Sequence, residues 1–190
     1  SNTTAAAAVL AALEGMGGAL AGRRVAVLGG TGPVGLRAGR LCAREGATVA
    51  LGSRSLAAAE KAATAVKEAT GAEVGAFSNA SEPEIVRALE GVDVLINAAA
   101  AGVQVLSLAA RRALPGLKVA IDLNAVPPAG IEGVEPTDKG AARDGLHAWG
   151  ALGVGGTKMK IHKKAIQELF LGNDRVLDAE QVLALGKALT

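Results

Sequence analysis

Aromatic side chains are scarce in this sequence, which has one Trp, two Phe and no Tyr among 190 residues. A protein that binds single-stranded nucleic acid stacks the bases on aromatic rings, and this chain lacks the rings for such a surface. Neither positive nor negative charge dominates, since the sequence has 20 Lys and Arg residues and 18 Asp and Glu residues. Without a basic field, we expect neither nucleic acid nor an acidic membrane as a partner.

The sequence has a single cysteine and no long apolar run. One cysteine cannot form an internal disulfide, which is typical of a protein in a reducing compartment. No run approaches the roughly 20 apolar residues that span a membrane, and the start lacks the pattern of a signal peptide. We therefore expect a cytoplasmic protein. Because the first residue is Ser rather than Met, we also expect the sequence to begin partway through a longer protein.

Half of the residues are hydrophobic and only 20% are charged, which is enough apolar surface for one substantial domain and argues against disorder. The apolar pattern predicts strands that alternate with helices, as in a parallel, doubly wound α/β sheet. Strands are predicted over 25–28, 73–77, 92–96 and 118–123, with another before the polar tip at 52–55. Helices are predicted over 1–13, 56–70 and 83–89, the last capped by Ser81, and in a C-terminal segment over 157–190. A long loop is predicted over 124–139.

The first predicted helix precedes the first strand, so it is additional to the basic α/β fold. We interpret residues 1–18 as a connector from a preceding domain, and a helix packed on the sheet edge is the alternative. On the helix after the first strand, Cys42 lies among apolar positions and is expected to be a core residue, not a nucleophile. On the helix over 56–70, Leu56, Ala59, Ala63 and Val66 are expected to face inward.

A glycine-rich segment, GTGPVG at 30–35, directly follows the first predicted strand and opens a helix. Gly30 would allow the sharp turn, Gly32 the approach of a pyrophosphate, and Gly35 the close packing of the helix on the sheet. Pro33 suits the first helical turn, where its missing N–H would have no partner. A G-x-G-x-x-G in this context predicts a dinucleotide-binding Rossmann domain, and the alternative is a tight turn that binds nothing.

Free N–H groups and the positive end of the helix dipole favour an anion at the start of this helix. The expected contacts of the dinucleotide in this segment are Gly30, Thr31, Gly32, Pro33 and Val34. The tip of the second strand then indicates which dinucleotide is bound. NAD sites place an acid there, whereas this chain has Ser53, Arg54 and Ser55, with no acid until Glu60. Arginine binds phosphate through paired hydrogen bonds, so NADP is favoured, and a solvated loop charge is the alternative for Arg54.

Further cofactor contacts are predicted from the rule that ligands bind outside the carboxyl ends of strands in an open parallel sheet. The small residues Ala98, Ala99 and Ala100 follow the fourth strand and leave room for a ribose and a nicotinamide. Asn124 and Val126 follow the fifth strand. The alternative is that these residues are small because they pack a turn.

A second glycine-rich segment, over 150–156, precedes several cations of the final predicted helices. Glycines followed by cations can form a second anion site or simply enter a solvated basic helix. We interpret His162 and Lys164 as solvated. Lys158 is nearest to the glycines and remains open between the two interpretations.

The whole chain resembles the NADP-binding domain of the bacterial NAD(P)-dependent methylenetetrahydromethanopterin dehydrogenases, a family of one-carbon metabolism with members that act on methylenetetrahydrofolate. The matching segments are SNTTAAA, GGTGPVGLRA, GSR, NAVPPAGIEGVEPTDKG and GALGVGGTKMKIH. The resemblance implies a smaller N-terminal domain, absent from this sequence, with the pterin bound in the cleft between the two domains. We also expect a homo-oligomer. The phosphate-loop positions fall on 31–34, and the 2′-phosphate positions on Ser53 and Arg54.

Ala58 stands where the family often has a lysine, which leaves the strength of the NADP preference open. The implied reaction is direct hydride transfer from the methylene carbon of the reduced pterin to C4 of NADP. It requires no acid or base from the protein, so neither a catalytic residue nor a metal is expected. Possible substrate contacts are Asn2, Thr4 and Lys158. The sequence leaves the methanopterin and folate carriers both open.

Three other functional classes compete with this interpretation. Asn2-Thr3-Thr4 is similar to the Asn-Thr-Asp of shikimate dehydrogenases, but Thr4 replaces the acid that would bind the substrate. A short-chain dehydrogenase needs a Tyr-x-x-x-Lys pair and is excluded because the chain has no tyrosine. A non-catalytic NADP(H)-binding module is the alternative from a different functional class.

Overall fold

The computed structural model of the chain describes residues 1–172 and 176–190. Helices and strands alternate along the sequence as the apolar pattern predicts. The elements, in chain order, are α1 (Asn2–Gly15), β1 (Arg24–Leu28), α2 (Gly35–Arg44), β2 (Thr48–Ser53), α3 (Leu56–Thr70), β3 (Val74–Ser78), α4 (Glu82–Ala88), β4 (Val94–Asn97), α5 (Leu108–Arg112), β5 (Val119–Asp122), β6 (Lys139–Arg143), β7 (Leu146–Trp149), α6 (Ala151–Leu169) and α7 (Ala179–Lys187).

The described strands form a seven-stranded sheet in the order β3-β2-β1-β4-β5-β7-β6. Neighbouring strands are parallel, except that β6 runs antiparallel to β7 at one edge. The chain moves outward from β1 to β3, returns to the centre, and continues from β4 in the opposite direction. The doubly wound α/β fold is therefore confirmed, and its switch in strand order lies between β1 and β4, where such sheets bind ligands.

Apolar cores cover both faces of the sheet, as a parallel sheet requires. Successive residues of β1 point to opposite faces, so that Val25 and Val27 join one core and Ala26 and Leu28 the other. The first core contains buried residues of α1, α2, α3, α6 and α7, and the second contains Ile85 of α4.

Helix α1 is part of the first core. Its residues from Ala5 to Leu13 are all buried, and it packs against α2, α6 and α7. A helix that is buried on all sides needs small apolar residues, which explains its run of alanines. Ser1 occupies the cap position of α1 without a side-chain hydrogen bond. The role of residues 1–18 as a connector stays a prediction.

Several boundaries and contacts differ from those predicted. The bounds of the third, fourth and fifth strands differ from the predicted ones by one or two residues, and Leu56 is exposed instead of facing inward. Ser81 does precede α4, but its hydroxyl donates to Glu84 at 2.7 Å instead of accepting a backbone N–H. Cys42 is fully buried in the first core, as predicted.

The second glycine-rich segment belongs to a helix. Helix α6 begins at Ala151, so these glycines form its first turns, and the predicted boundary of the C-terminal helices at 157 is six residues late. Helix α5 and the β6–β7 hairpin were not predicted. Between β5 and β6 the structure has no regular element, which agrees with the predicted long loop. In the described parts of the chain, no helix is both long and apolar enough to cross a membrane.

Candidate functional site

The carboxyl ends of β1 to β4 surround a cavity of about 580 Å³, which we call the nucleotide cleft. It lies beside the switch in strand order, where the topology predicts a ligand. Its walls come from the loops that follow these four strands and from the start of α4. The lining residues predicted from the sequence are Thr31, Gly32, Ser53, Arg54, Ala98, Ala99 and Ala100.

The glycine turn after β1 is tightly packed on the side that faces the sheet and the start of α2. The positive φ of the turn belongs to Gly29, at 67°, and not to Gly30, which was expected to supply the sharp turn. Gly30 instead lies against β2, because a Cβ on it would come within 2.9 Å of the Leu51 side chain. A Cβ on Gly35 would collide with the Gly29 carbonyl, so close packing of the helix is confirmed as the reason for this glycine.

The side of the turn that faces the nucleotide cleft is open and rich in hydrogen-bond donors. Among the described residues, the backbone N–H groups of Thr31, Val34 and Gly35 have no acceptor. The Leu36 N–H already donates to Gly32 at 2.9 Å, so the helical spacing begins around Pro33, although α2 itself begins at Gly35. Unpaired N–H groups at the positive end of a helix favour a phosphate there.

The tip of β2 is joined to the glycine turn through Ser53. Its hydroxyl lies 3.5 Å from that of Thr31 and accepts the Ser55 N–H at 3.3 Å. The Ser55 hydroxyl caps α3 by accepting the Ala58 N–H at 3.3 Å, so it contributes to the helix start and does not line the cleft. Arg54 is exposed at the cleft and has no hydrogen bond or ion pair with any described residue.

Glu82 and Asn79 are among the polar residues of the cleft that were not identified as site residues from the sequence. Glu82 lines the wall, but its carboxylate is already bonded to the Ser107 N–H. Asn79, directly after β3, is 9% exposed, and its Oδ1 has no hydrogen-bond partner among the described residues. The rule that selected residues after the other strands applies equally to the residue after β3, so Asn79 could have been found from its position.

A second cavity, of about 410 Å³, lies at the carboxyl ends of β5 and β7. Gln104 lines both this cavity and the nucleotide cleft, so the two adjoin. Asn124 and Val126 line it as well. The Asn124 side chain accepts the N–H groups of Gly102 at 3.1 Å and Val126 at 3.0 Å and donates to Pro128 at 2.8 Å. The Asn124 side chain therefore holds together the loops that follow β4 and β5. Val126 is half exposed.

The remaining predicted residues lie outside both cavities. Of the described lining residues, none is Gly30, Pro33, Val34 or Ser55, although all four belong to the turns beside the cleft. Asn2, Thr4 and Lys158 are partly buried on α1 and α6 and line neither cavity. Their assignment as substrate contacts stays a prediction.

Comparison with known proteins gives two similar relatives, both from Methylorubrum extorquens. The bifunctional protein MdtA is 40% identical over 189 residues, which are 100% of this chain and 66% of MdtA. An NAD(P)-dependent methylenetetrahydromethanopterin dehydrogenase is 35% identical over 176 residues, which are 87% of this chain and 54% of the relative. This chain thus spans one half to two thirds of the length of these relatives.

No family model matches the chain. Among solved structures, one of the polypeptides of dipicolinate synthase from Bacillus halodurans superimposes with a TM-score of 0.58 at 23% identity. The match covers 99% of this chain and 53% of that protein. At this level of identity, the similarity supports the fold alone.

Proposed function

Because this chain belongs to the family of the NAD(P)-dependent methylenetetrahydromethanopterin dehydrogenases, we propose that it is the NADP-binding part of a dehydrogenase acting on a pterin carrier of one-carbon units. The observation that carries the proposal is the nucleotide cleft, in which unpaired donors and an unpaired arginine meet at the carboxyl ends of the central strands. The substrate half of the proposal comes from the relatives.

The donors of the cleft fit the phosphates of NADP. The free N–H groups of Thr31, Val34 and Gly35 would hold the diphosphate, because they lie where the helix dipole is positive. Arg54 would hold the 2′-phosphate through paired, charge-assisted hydrogen bonds. In the cleft the carboxylate of Glu82 is bonded to Ser107, and no acid occupies the tip of β2.

The other half of the nucleotide would extend toward the second cavity. Ala98, Ala99 and Ala100 form a wall of small side chains between the glycine turn and Gln104. A nicotinamide lying along this wall would reach the junction of the two cavities, and the pterin would approach from the side of Asn124 and Val126. Asn2, Thr4 and Lys158 remain candidates for contacts with the pterin.

Bound NADP would supply a hydride acceptor, so that the methylene carbon loses a hydride and the pterin leaves as a methenyl cation delocalised over two nitrogens. No proton is transferred in this step, and the protein therefore needs no acid or base. The task of the residues around the cleft would be to hold the reacting carbons close together and to exclude water. Such orientation can lower a barrier by about 7–11 kcal/mol.

Two measurements test this proposal. Calorimetry on this chain should detect NADP binding that is tighter than NAD binding. The natural full-length protein, supplied with NADP and methylenetetrahydromethanopterin, methylenetetrahydrofolate or shikimate, should produce NADPH absorbance with one of the pterins. Oxidation of shikimate would instead support the shikimate-dehydrogenase-like alternative. NADP binding without turnover of any of the three would support a non-catalytic module, and no binding at millimolar nucleotide would refute the cofactor assignment.

A further inference from the structure

Asn79 carries a polar group that the fold does not use. The residue is only 9% exposed, and its Oδ1 is buried without a hydrogen-bond partner among the described residues. No described residue bonds its side-chain nitrogen either. Buried polar groups are normally paired, so an unpaired amide in the wall of a cavity indicates a partner from outside the chain.

The position of Asn79 shows which part of a ligand it would meet. Its backbone N–H donates to the Ser53 carbonyl at 3.0 Å, immediately before Arg54 in the sequence. Ser78 and Ser53 are register partners on β3 and β2, so Asn79 and Arg54 leave neighbouring strands at the same level. Both residues line the nucleotide cleft.

The 2′-phosphate and the base of NADP are attached to adjacent carbons of one ribose. A phosphate held by Arg54 therefore brings the base to the neighbouring wall, which is formed by Asn79, Ala80, Ser81 and Ile85. Ile85 and Ala80 offer apolar contact for the face of a purine ring. Asn79 is the residue of this wall whose amide has no protein partner among the described residues.

We propose that Asn79 recognises the adenine base, with its Oδ1 accepting from the 6-amino group and its Nδ2 donating to N7. Asparagine makes this bidentate pair with adenine because the amide and the base edge have matching donors and acceptors. Neither end of the amide is held by a described residue, so rotation about χ2 can bring both ends to the base. This inference rests on the proposed function, since it requires NADP in the cleft.

The test compares NADP with its deamino analogue, in which hypoxanthine replaces adenine and the 6-amino donor becomes a carbonyl acceptor. Calorimetry on the wild-type chain should give about 10-fold weaker binding of the analogue, because one hydrogen bond is lost and two acceptors face each other. In Asn79→Leu, which keeps the branched shape of the side chain, NADP binding should weaken about 10-fold and the two nucleotides should bind equally. The matched control is Gln104→Leu, which should keep the wild-type ratio between them.

Thermal unfolding without nucleotide separates recognition from a structural role. Because the Asn79 amide is unpaired, replacing it with leucine should leave the melting temperature unchanged or higher. The proposal is overturned if Asn79→Leu binds NADP as the wild type does, or if it weakens both nucleotides equally and keeps their ratio. Failure of NADP to bind the wild type would overturn this proposal and the proposed function together. Loss of NADP affinity in Arg54→Ala, with Asn79→Leu unaffected, would remove the adenine contact alone.

Discussion

The side-chain amide of Asn97 donates a 2.9 Å hydrogen bond to the carboxylate of Asp122, joining the ends of β4 and β5 beneath the two cavities. Both residues are almost completely buried. Asp122 also accepts the N–H groups of Asn124 at 3.1 Å and Ile131 at 2.9 Å, and Asn97 accepts the N–H of Ala99 at 3.1 Å. This pair therefore sets the start of both loops that carry predicted cofactor contacts.

Replacing Asp122 with alanine should lower the free energy of unfolding by about 3 kcal/mol, because three buried donors lose their acceptor. Asp122→Asn keeps one acceptor oxygen and should cost about half as much. Urea denaturation followed by circular dichroism measures both effects. Glu60→Gln, an exposed change of carboxylate to amide on α3, is the control and should be neutral. An equally neutral Asp122→Ala would show that the network does not stabilise the fold.

Removing the guanidinium of Arg54 tests the choice of cofactor. Arg54→Ala should weaken NADPH binding about 10- to 100-fold, since charge-assisted hydrogen bonds contribute roughly 1.5–3 kcal/mol. NADH has no 2′-phosphate, so its affinity should hardly change. Titration of both nucleotides by calorimetry gives the comparison, and Lys61→Ala, farther along α3, serves as the charge-matched control. Equal losses for NADPH and NADH would contradict the assignment of Arg54.

The elements that sequence reasoning identified have strong local signals. Helix α3 was predicted with its observed bounds, because Ser55 caps its start and Gly71 ends it in the left-handed conformation. The β6–β7 hairpin has no such signal, since Lys139–Arg143 contains neither an apolar run nor a regular alternation. The hairpin joins the sheet because β7 pairs with β5, and this contact between distant segments is visible only in the folded chain.

The glycines over 150–156 predict an entry to the C-terminal helices rather than part of them, so the expected start of α6 is too late. Gly150 and Gly153 are required for a different reason, which is close tertiary packing. A Cβ on Gly150 would collide with the Glu135 carbonyl, and one on Gly153 with the Asp138 carbonyl. Contacts of this kind between distant segments cannot be read from the local pattern of the sequence.

In the site, Thr31 was predicted from the glycine motif, Arg54 from the tip of β2 and Ala98 from the rule about carboxyl ends of strands, and all three line the nucleotide cleft. The carboxyl-end rule does not distinguish a residue that faces a ligand from one that holds a loop closed. Asn124 was predicted as a cofactor contact, yet its side chain is bonded to the backbone of the two loops. The unpaired state of Asn79 could be recognised only after the surrounding hydrogen bonds were known.

Two glycines of the phosphate loop should respond differently to substitution. Gly35→Ala forces a Cβ against the Gly29 carbonyl and should lower the free energy of unfolding by about 2 kcal/mol, as overpacking does. Among the described residues, the one atom close to a Cβ added on Gly32 is the Gly29 carbonyl oxygen at 3.4 Å, so Gly32→Val should nearly preserve stability. Its side chain would instead cover the space above the turn and abolish binding of both NADP and NAD. Thermal unfolding and calorimetry on the two variants measure both effects, and normal nucleotide affinity in Gly32→Val would refute the phosphate-loop assignment.

The stability of the protein should fall in alkali through Cys42. Burial, with a smaller contribution from Glu45, raises the pKa of this thiol from about 9.0 to about 12. Between these values the unfolded chain loses the thiol proton while the folded chain keeps it, so rising pH favours unfolding. At pH 10.5 the free energy of unfolding should be about 2 kcal/mol lower than at pH 8. The Cys42→Ala variant should lack this part of the pH dependence. Urea denaturation of both proteins at the two pH values measures the difference, with native labelling by a thiol reagent expected to be slow at pH 8. The same slope in both proteins would show that Cys42 does not titrate on unfolding.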